Sequence, residues 1–339
     1  MFRMICVATG VAMGLALAPA LAADAALIEA AKKEGSVTWY TTSIIDQFVR
    51  PAAEAFQRKH GIRVDFTRGS NAQLELRVIS EARAGKMLAD LVDGTQTSLV
   101  LRREGFIEKW LPPHGLPARY VDPEGYWIAT NEYALTPGFN TDLVPRGSEP
   151  RTFADLLAPR WKGRMAWNVS PAASAGQGFV GAVLADMGEA RARAYFAELA
   201  KQNIAGVKSS ARQVLDQAIA GEFPVVLQIF NNHTTISRKR GAPVDWIAME
   251  PAIAVIHVMS LTRGGPHPAA AKLFFEFIVS DEGQKIMAEA GEIPVSPNVA
   301  PGDPGLRPGA GTFRAAYFTP EQLAAAVPVW SRLFDEYFR

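Results

Sequence analysis

Along the chain, short apolar runs end repeatedly in polar turns that open helices. A helical lead from Leu27 to Lys33 closes at Gly35, and the β-rich run Val37-Thr38-Trp39-Tyr40 then stops in Thr41-Thr42-Ser43. Behind it Phe48, Ala52, Ala55 and Phe56 recur at helical spacing up to His60-Gly61. Ile62 to Phe66 predicts a second strand, and Arg68-Gly69-Ser70-Asn71 turns into a helix carrying Leu74, Leu76, Val78 and Ile79. Leu88 to Val92 predicts a third strand, followed by the turn Asp93-Gly94-Thr95-Gln96 and another helix. Such units in series predict an α/β lobe with a mostly parallel sheet, where ligands bind beyond the carboxyl ends of the strands.

The middle of the chain repeats the plan. Met165 to Val169 leads into the small-residue loop Ser170 to Gly176, which contains Ser174, and a helix begins near Gly178. Val207 leads to Ser209-Ser210, with Arg212 in the first turn of a helix that closes at Gly221. Pro224 to Phe230 reads as an apolar strand, and Asn231-Asn232-His233-Thr234-Thr235 as the polar segment after it. Two helices, Ala269 to Ile278 and Asp281 to Ala290, a Pro/Gly loop from Pro301 to Gly311 and a last helix from Pro320 to Phe338 complete the chain. Facing polar strand ends in two lobes predict a cleft that closes on something small.

Composition narrows the options. The 339 residues carry 35 Lys+Arg against 34 Asp+Glu, a balance without the basic footprint of a nucleic-acid binder. The single cysteine, Cys6, excludes an internal disulfide and a paired-thiolate metal site. Arg3, the apolar stretch Ile5 to Ala18 and Ala20-Leu21-Ala22 read as a secretory signal peptide over residues 1–22, so the mature chain is expected in the periplasm without any cysteine.

Catalytic motifs are missing. No Gly-x-Ser-x-Gly elbow, Walker loop or HExxH occurs, and His60, His114, His233, His257 and His267 are scattered, with only His233 at a polar strand end. With no nucleophile paired to a base, covalent chemistry is not expected. The turns at Gly69-Ser70-Asn71, Ser174 and Ser209-Ser210 instead suit phosphate, phosphonate or carboxylate, because helix N-termini carry free amides and partial positive charge. Arg68 and Arg212 would add charge-assisted hydrogen bonds. The same serines can equally serve only as helix caps.

The ordered set Trp39-Tyr40-Thr41-Thr42, Phe56 with His60-Gly61-Ile62-Arg63-Val64, Ala89-Asp90-Leu91-Val92, Trp161-Lys162-Gly163-Arg164, Ala220-Gly221-Glu222, His267-Pro268-x-Ala270-Ala271-Lys272-Leu273-Phe274 and Ser280-x-Glu282-Gly283-Gln284 resembles the periplasmic solute-binding proteins of ABC importers, in their type II, ferric-iron-binding-like group. The resemblance implies two α/β lobes joined by crossing hinge strands, a ligand cleft between them, hinge closure, and delivery to a permease and its ATPase. It places one lobe at residues 23–135 and 255–312 and the other at 136–254 and 313–339, in a protein expected to be a monomer without a cofactor or metal.

Iron-binding members of that group carry an adjacent tyrosine pair, whose register here falls on Asn231-Asn232; their histidine falls near Ile44 and their glutamate at Thr95. No Tyr-Tyr pair occurs anywhere in the chain, and neutral amides and hydroxyls hold ferric iron poorly. The expected ligand is therefore a small organic anion, phosphorylated, phosphonate or carboxylate, held by Thr41, Thr42, Arg68, Ser70, Asn71, Thr95, Tyr133, Ser174, Ser210, Arg212, Asn231, Asn232 and His233. Trp39 or Trp167 could add an apolar wall, although core packing suits both better. The alternatives are ferric iron held through non-tyrosine ligands and a synergistic anion, a secreted enzyme, and a binding protein that reports to a receptor.

Overall fold

The structure, a computed structural model, describes residues 18–113, 115–169, 177–309 and 312–339. Most of the expected signal peptide, His114 and the Ser170 to Gly176 loop with Ser174 lie outside the described residues.

Helix α1 (Ala18–Glu34) leads into β1 (Ser36–Thr41), α2 (Arg50–His60), β2 (Arg63–Arg68), α3 (Asn71–Arg83), β3 (Leu91–Gly94) and α4 (Thr97–Arg103). Each polar turn does local work. Gly61 takes the left-handed conformation at φ 74° and returns its amide to Gln57, which stops α2. Ser70 caps α3 through a reciprocal capping box with Gln73. A long strand, β4 (Ile128–Asn140), then carries the chain to a second set: β5 (Met165–Asn168), α5 (Gly178–Ala200), β6 (Ala205–Val207), α6 (Ala211–Ile219), β7 (Val225–Phe230), α7 (Asn231–Lys239) and β8 (Val244–Trp246). Strand β9 (Ala252–Leu261) returns to the first set for α8 (Pro268–Val279) and α9 (Asp281–Glu289). The short β10 (Ile293–Pro294), β11 (Ala315–Phe318) and α10 (Pro320–Phe338) end the chain.

All strands belong to one sheet with the central order β2-β1-β3-β9-β4-β7-β5-β6. The expected parallel pairing holds at the flanks, where β1 pairs with β2 and β3, and β5 with β6 and β7. The middle differs: β3, β9, β4 and β7 pair antiparallel in succession. The reason is topological, because β4 and β9 carry the chain in opposite directions between the lobes. Sequence patterning did not mark either as a strand. β4 buries Thr130, Asn131 and Glu132 among apolar neighbours, and β9 is buried on both faces, so neither alternates cleanly.

Two aromatic cores flank these central strands. Trp39 packs against Phe274 (5.3 Å between ring centroids) within a cluster that includes Phe48, Phe56 and Phe277. Trp167 packs against Phe334 (4.9 Å) beside Phe179, Phe196 and Trp330. Both tryptophans are therefore core residues. At the second core Gly181 lets Trp330 of α10 lie directly on α5, since a Cβ there would stand 2.5 Å from the indole.

Candidate functional site

A cleft of about 650 Å³ opens where strand ends of both lobes meet. The first lobe lines it with Thr42, Ser43 and Ile44 after β1, Arg68 to Gln73 across the β2–α3 turn, and Thr95 after β3. Ser210, Phe230 and His233 come from the second lobe, while Tyr133 and His257 stand on the crossing strands and Glu292 just precedes β10.

The mouth gathers a guanidinium and helix-end amides. Arg68 is exposed, donates Nε to the Ser43 carbonyl at 3.1 Å, and has no carboxylate partner among the described residues. Beside it the capping box satisfies the Ser70 and Gln73 amides, at 2.9 and 3.3 Å. The amides of Asn71 and Ala72, in the first turn of α3, have no intrahelical acceptor to reach. Asn71 is fixed on its other side, with Nδ2 donating to Thr95 Oγ1 at 3.1 Å and Oδ1 accepting from Thr97 Oγ1 at 3.3 Å. A mirror of this turn closes the second lobe: Ser210 caps α6 through a capping box with Gln213, so the two serines at the cleft do serve as caps.

Carboxyl and imidazole groups lie at and beneath the floor. Asp93 accepts from Trp39 Nε1 at 2.7 Å and from the Thr42 amide at 2.8 Å, and lies 3.3 Å from His257 Nε2. Thr42 Oγ1 stands 2.7 Å from the same imidazole nitrogen. Glu292 is almost fully buried; Asn232 and Asn131 donate to its Oε2 at 3.1 and 3.3 Å, leaving Oε1 without a protein donor among the described residues. Burial raises the Glu292 pKa to about 7, against the opposing pull of His257 and Asn131. Burial also raises Tyr133, with the nearby Glu292 carboxyl adding to it. His233 moves the other way, lowered to about 4 by burial and by the Arg212 charge, and its Nδ1 has no partner.

Of the residues expected at the site, Thr42, Arg68, Ser70, Asn71, Thr95, Tyr133, Ser210 and His233 line the cleft together. Thr41, Arg212, Asn231 and Asn232 do not. The fully buried Thr41 accepts the Ser43 amide and shapes the turn. Arg212 spends its guanidinium on Asp216 (2.5 Å) and Ser237 (2.9 Å), a helical i, i+4 pair where a ligand contact was expected. Asn231 and Asn232 do not lie in a polar loop. They begin α7 and are fully buried, Asn231 donating to the Leu306 carbonyl at 2.9 Å. Sequence reasoning missed Glu292, His257 and Phe230. His257 left a faint signal as the lone charged-capable residue in an apolar strand, whereas Glu292 left none, because it joins the cleft only after the chain has crossed back through β9.

The structure also assembles a hydroxyl–imidazole–carboxylate line that the sequence did not reveal. Ser36 Oγ lies 3.3 Å from His267 Nε2, and His267 Nδ1 lies 2.9 Å from Asp90. It does not line the cleft. Its surroundings are already spent as donors: the Thr38 and His267 amides point at Asp90, and those of Ala269 and Ala270 at Glu34. The group acts as a clasp between β1, β3 and the start of α8. Among the described residues no three His, Cys, Asp or Glu side chains gather as a metal cluster, and no helix is long and apolar enough to cross a membrane.

Comparison with known proteins gives a consistent picture. A family profile described as bacterial extracellular solute-binding protein matches residues 104–310. A curated relative, the Fe(3+)-binding periplasmic protein of Serratia marcescens, is 22% identical over 260 residues, covering 71% of this chain and 73% of the relative. Iron-bound HitA from Pseudomonas aeruginosa superposes with a TM-score of 0.71 at 22% identity, covering 88% of this chain and 98% of its own. The periplasmic binding protein AfuA from Actinobacillus pleuropneumoniae, solved with exogenous fructose-6-phosphate, superposes with a TM-score of 0.72 at 21% identity, covering 89% and 98%. These likenesses establish a type II periplasmic-binding-protein fold.

Proposed function

Because the chain belongs to the bacterial extracellular solute-binding proteins, we propose that it is the periplasmic substrate-binding component of an ABC importer and captures a small organic anion for delivery to a permease and its ATPase. The observation that carries this reading is Arg68, an unpaired guanidinium in the cleft wall beside the free first-turn amides of α3. A phosphate, phosphonate or carboxylate there meets charge-assisted donors from Arg68 together with oriented backbone amides. Thr42, Ser70, Asn71, Thr95, Tyr133, Ser210 and His233 complete the proposed set, with Thr41, Asn231 and Asn232 holding the frame around it. The ligand would favour the closed arrangement by its differential contacts with both lobes, the β4 and β9 crossings acting as the hinge.

A thermal-shift screen of phosphorylated sugars, phosphonates, carboxylates and ferric salts tests the reading. An acid at ~100 times its Kd adds ~2.7 kcal/mol of stability and raises Tm. The competing reading, ferric iron held with a synergistic anion, draws support from the names of the Serratia and Pseudomonas relatives. Stabilisation by a ferric salt with a small anion, and by no acid alone, would establish it and overturn the organic-anion reading.

A further inference from the structure

Part of the cleft lining is aromatic rather than cationic. Beyond Arg68 and the α3 turn, the walls carry a row of rings: His257 and Tyr133 at 6.1 Å between centroids and 80° between planes, Tyr133 and Phe230 at 4.9 Å, Phe230 and His233 at 5.2 Å and 74°. Among them sits the buried Glu292, fixed through Oε2 by amides from β4 and α7, with Oε1 free. Arg68 and Glu292 share the cleft without pairing to each other, so each keeps its charge or hydrogen-bonding capacity for something else. Aromatic faces attract a cation, the more so when it is desolvated, and a carboxylate in the same wall supplies the counter-charge. Asp93 is not available for that task, being held by Trp39, Thr42 and His257.

We propose that the ligand is an acid that also carries a protonated amine, its acid group at Arg68 and the α3 turn and its ammonium against Glu292 and the Tyr133 and Phe230 rings. The inference rests on the organic-anion reading and deepens it. Burial raises the Glu292 carboxyl to about 7, so below that pH an arriving ammonium must displace its proton to solvent to form the ammonium–carboxylate pair, whereas above it the carboxylate is already there to meet it. A hydroxyl-bearing acid needs no such ionisation, since a hydroxyl can hydrogen-bond either form of the carboxyl. The groups facing Glu292 are Asn131, Asn232, His257 and Tyr133.

Two matched series decide the matter by calorimetric titration of the full chain: O-phosphoethanolamine, ethyl phosphate and glycerol 3-phosphate, then β-alanine, propionate and 3-hydroxypropionate. At pH 7.5 the amine of at least one series binds tighter than its alkyl and hydroxyl partners by roughly tenfold or more, the worth of one desolvated charge pair. That preference falls roughly ten- to thirtyfold by pH 5.5, at about tenfold per pH unit below the Glu292 pKa, and it collapses toward unity in Glu292→Gln. Should that variant fail to fold, the pH series on the unmodified chain still decides. Acids that bind without preferring the amine, or a preference that survives both pH 5.5 and Glu292→Gln, would overturn the ammonium subsite and leave the organic-anion reading standing. Silence from all six acids would overturn the ammonium subsite, and the organic-anion reading then falls only if the phosphorylated sugars and phosphonates of the thermal-shift screen are silent too.

Discussion

Replacing Glu292 with Gln should stabilise the ligand-free protein, and should do so only at high enough pH. A carboxyl whose folded pKa is raised adds stability below its unfolded pKa and loses it as pH climbs through the folded value. For Glu292 the two limits are 4.5 and about 7. At 1.36 kcal/mol per pH unit the burden at pH 8 is about 3 kcal/mol, and at pH 5 less than about 1. Glutamine can still accept from Asn131 and Asn232 through its carbonyl, so the polar frame survives. Any constant effect of the amide cancels when the variant is compared with the parent at two pH values. The expected outcome is that the variant's stability relative to the parent rises by about 2 to 3 kcal/mol between pH 5 and pH 8, read from urea midpoints. The parent's own profile is a poor guide, because His233 works in the opposite sense. Its lowered pKa removes stability as pH falls from 6.5 toward about 4, so the two slopes oppose each other over pH 4.5 to 6.5. A difference between parent and variant that stays flat within ~0.5 kcal/mol across pH 5 to 8 would refute the raised Glu292 pKa.

Three further outcomes follow from the geometry. Arg68→Ala should weaken binding of any acid ligand by roughly ten- to a hundredfold while moving stability by under ~0.5 kcal/mol, because the side chain is exposed and bonds only the Ser43 carbonyl; Arg212→Ala, already occupied by Asp216 and Ser237, should leave affinity within about twofold, and titration of both variants separates the two arginines. Gly181→Ala drives a methyl against the Trp330 indole and should lower stability by ~1 to 3 kcal/mol in urea; a loss below ~0.5 kcal/mol would show that α10 yields to the methyl. Asp90→Ala strands the Thr38 and His267 amides, both 2.7 Å from its carboxylate, and should cost about 3 kcal/mol or more; a loss below about 1 kcal/mol would show that the clasp is dispensable.

What the sequence disclosed and what it hid divide along physical lines. The turns at Ser70 and Ser210 were legible because capping boxes are local, needing only Ser and Gln three residues apart. Arg68 was legible for a similar reason, standing at the last position of a strand that opens a helix. Arg212 could have been set aside from the start, since Asp216 lies at the spacing of an intrahelical ion pair. The crossing strands could not be read, because burial on both faces removes the alternation that marks a strand at the surface. Nor could the cleft floor, where Asp93, His257 and Glu292 come from three distant stretches of chain and meet only through tertiary packing.

The central antiparallel strands have a consequence for how such a molecule can be taken apart. The backbone passes between the two halves three times, through β4, through β9 and again between β10 and β11. Neither half is a contiguous stretch of sequence, and α10 packs against α5 in the second half while α8 and α9 close the first. A single cut in the gene therefore yields two fragments that each lack part of a core. Exchanging one half with that of a relative would need three junctions placed together in register. During synthesis, too, the first half must wait for α8 and α9 before its core is complete, and a chain released before β9 is made leaves β3 and β4 without the strand that stands between them.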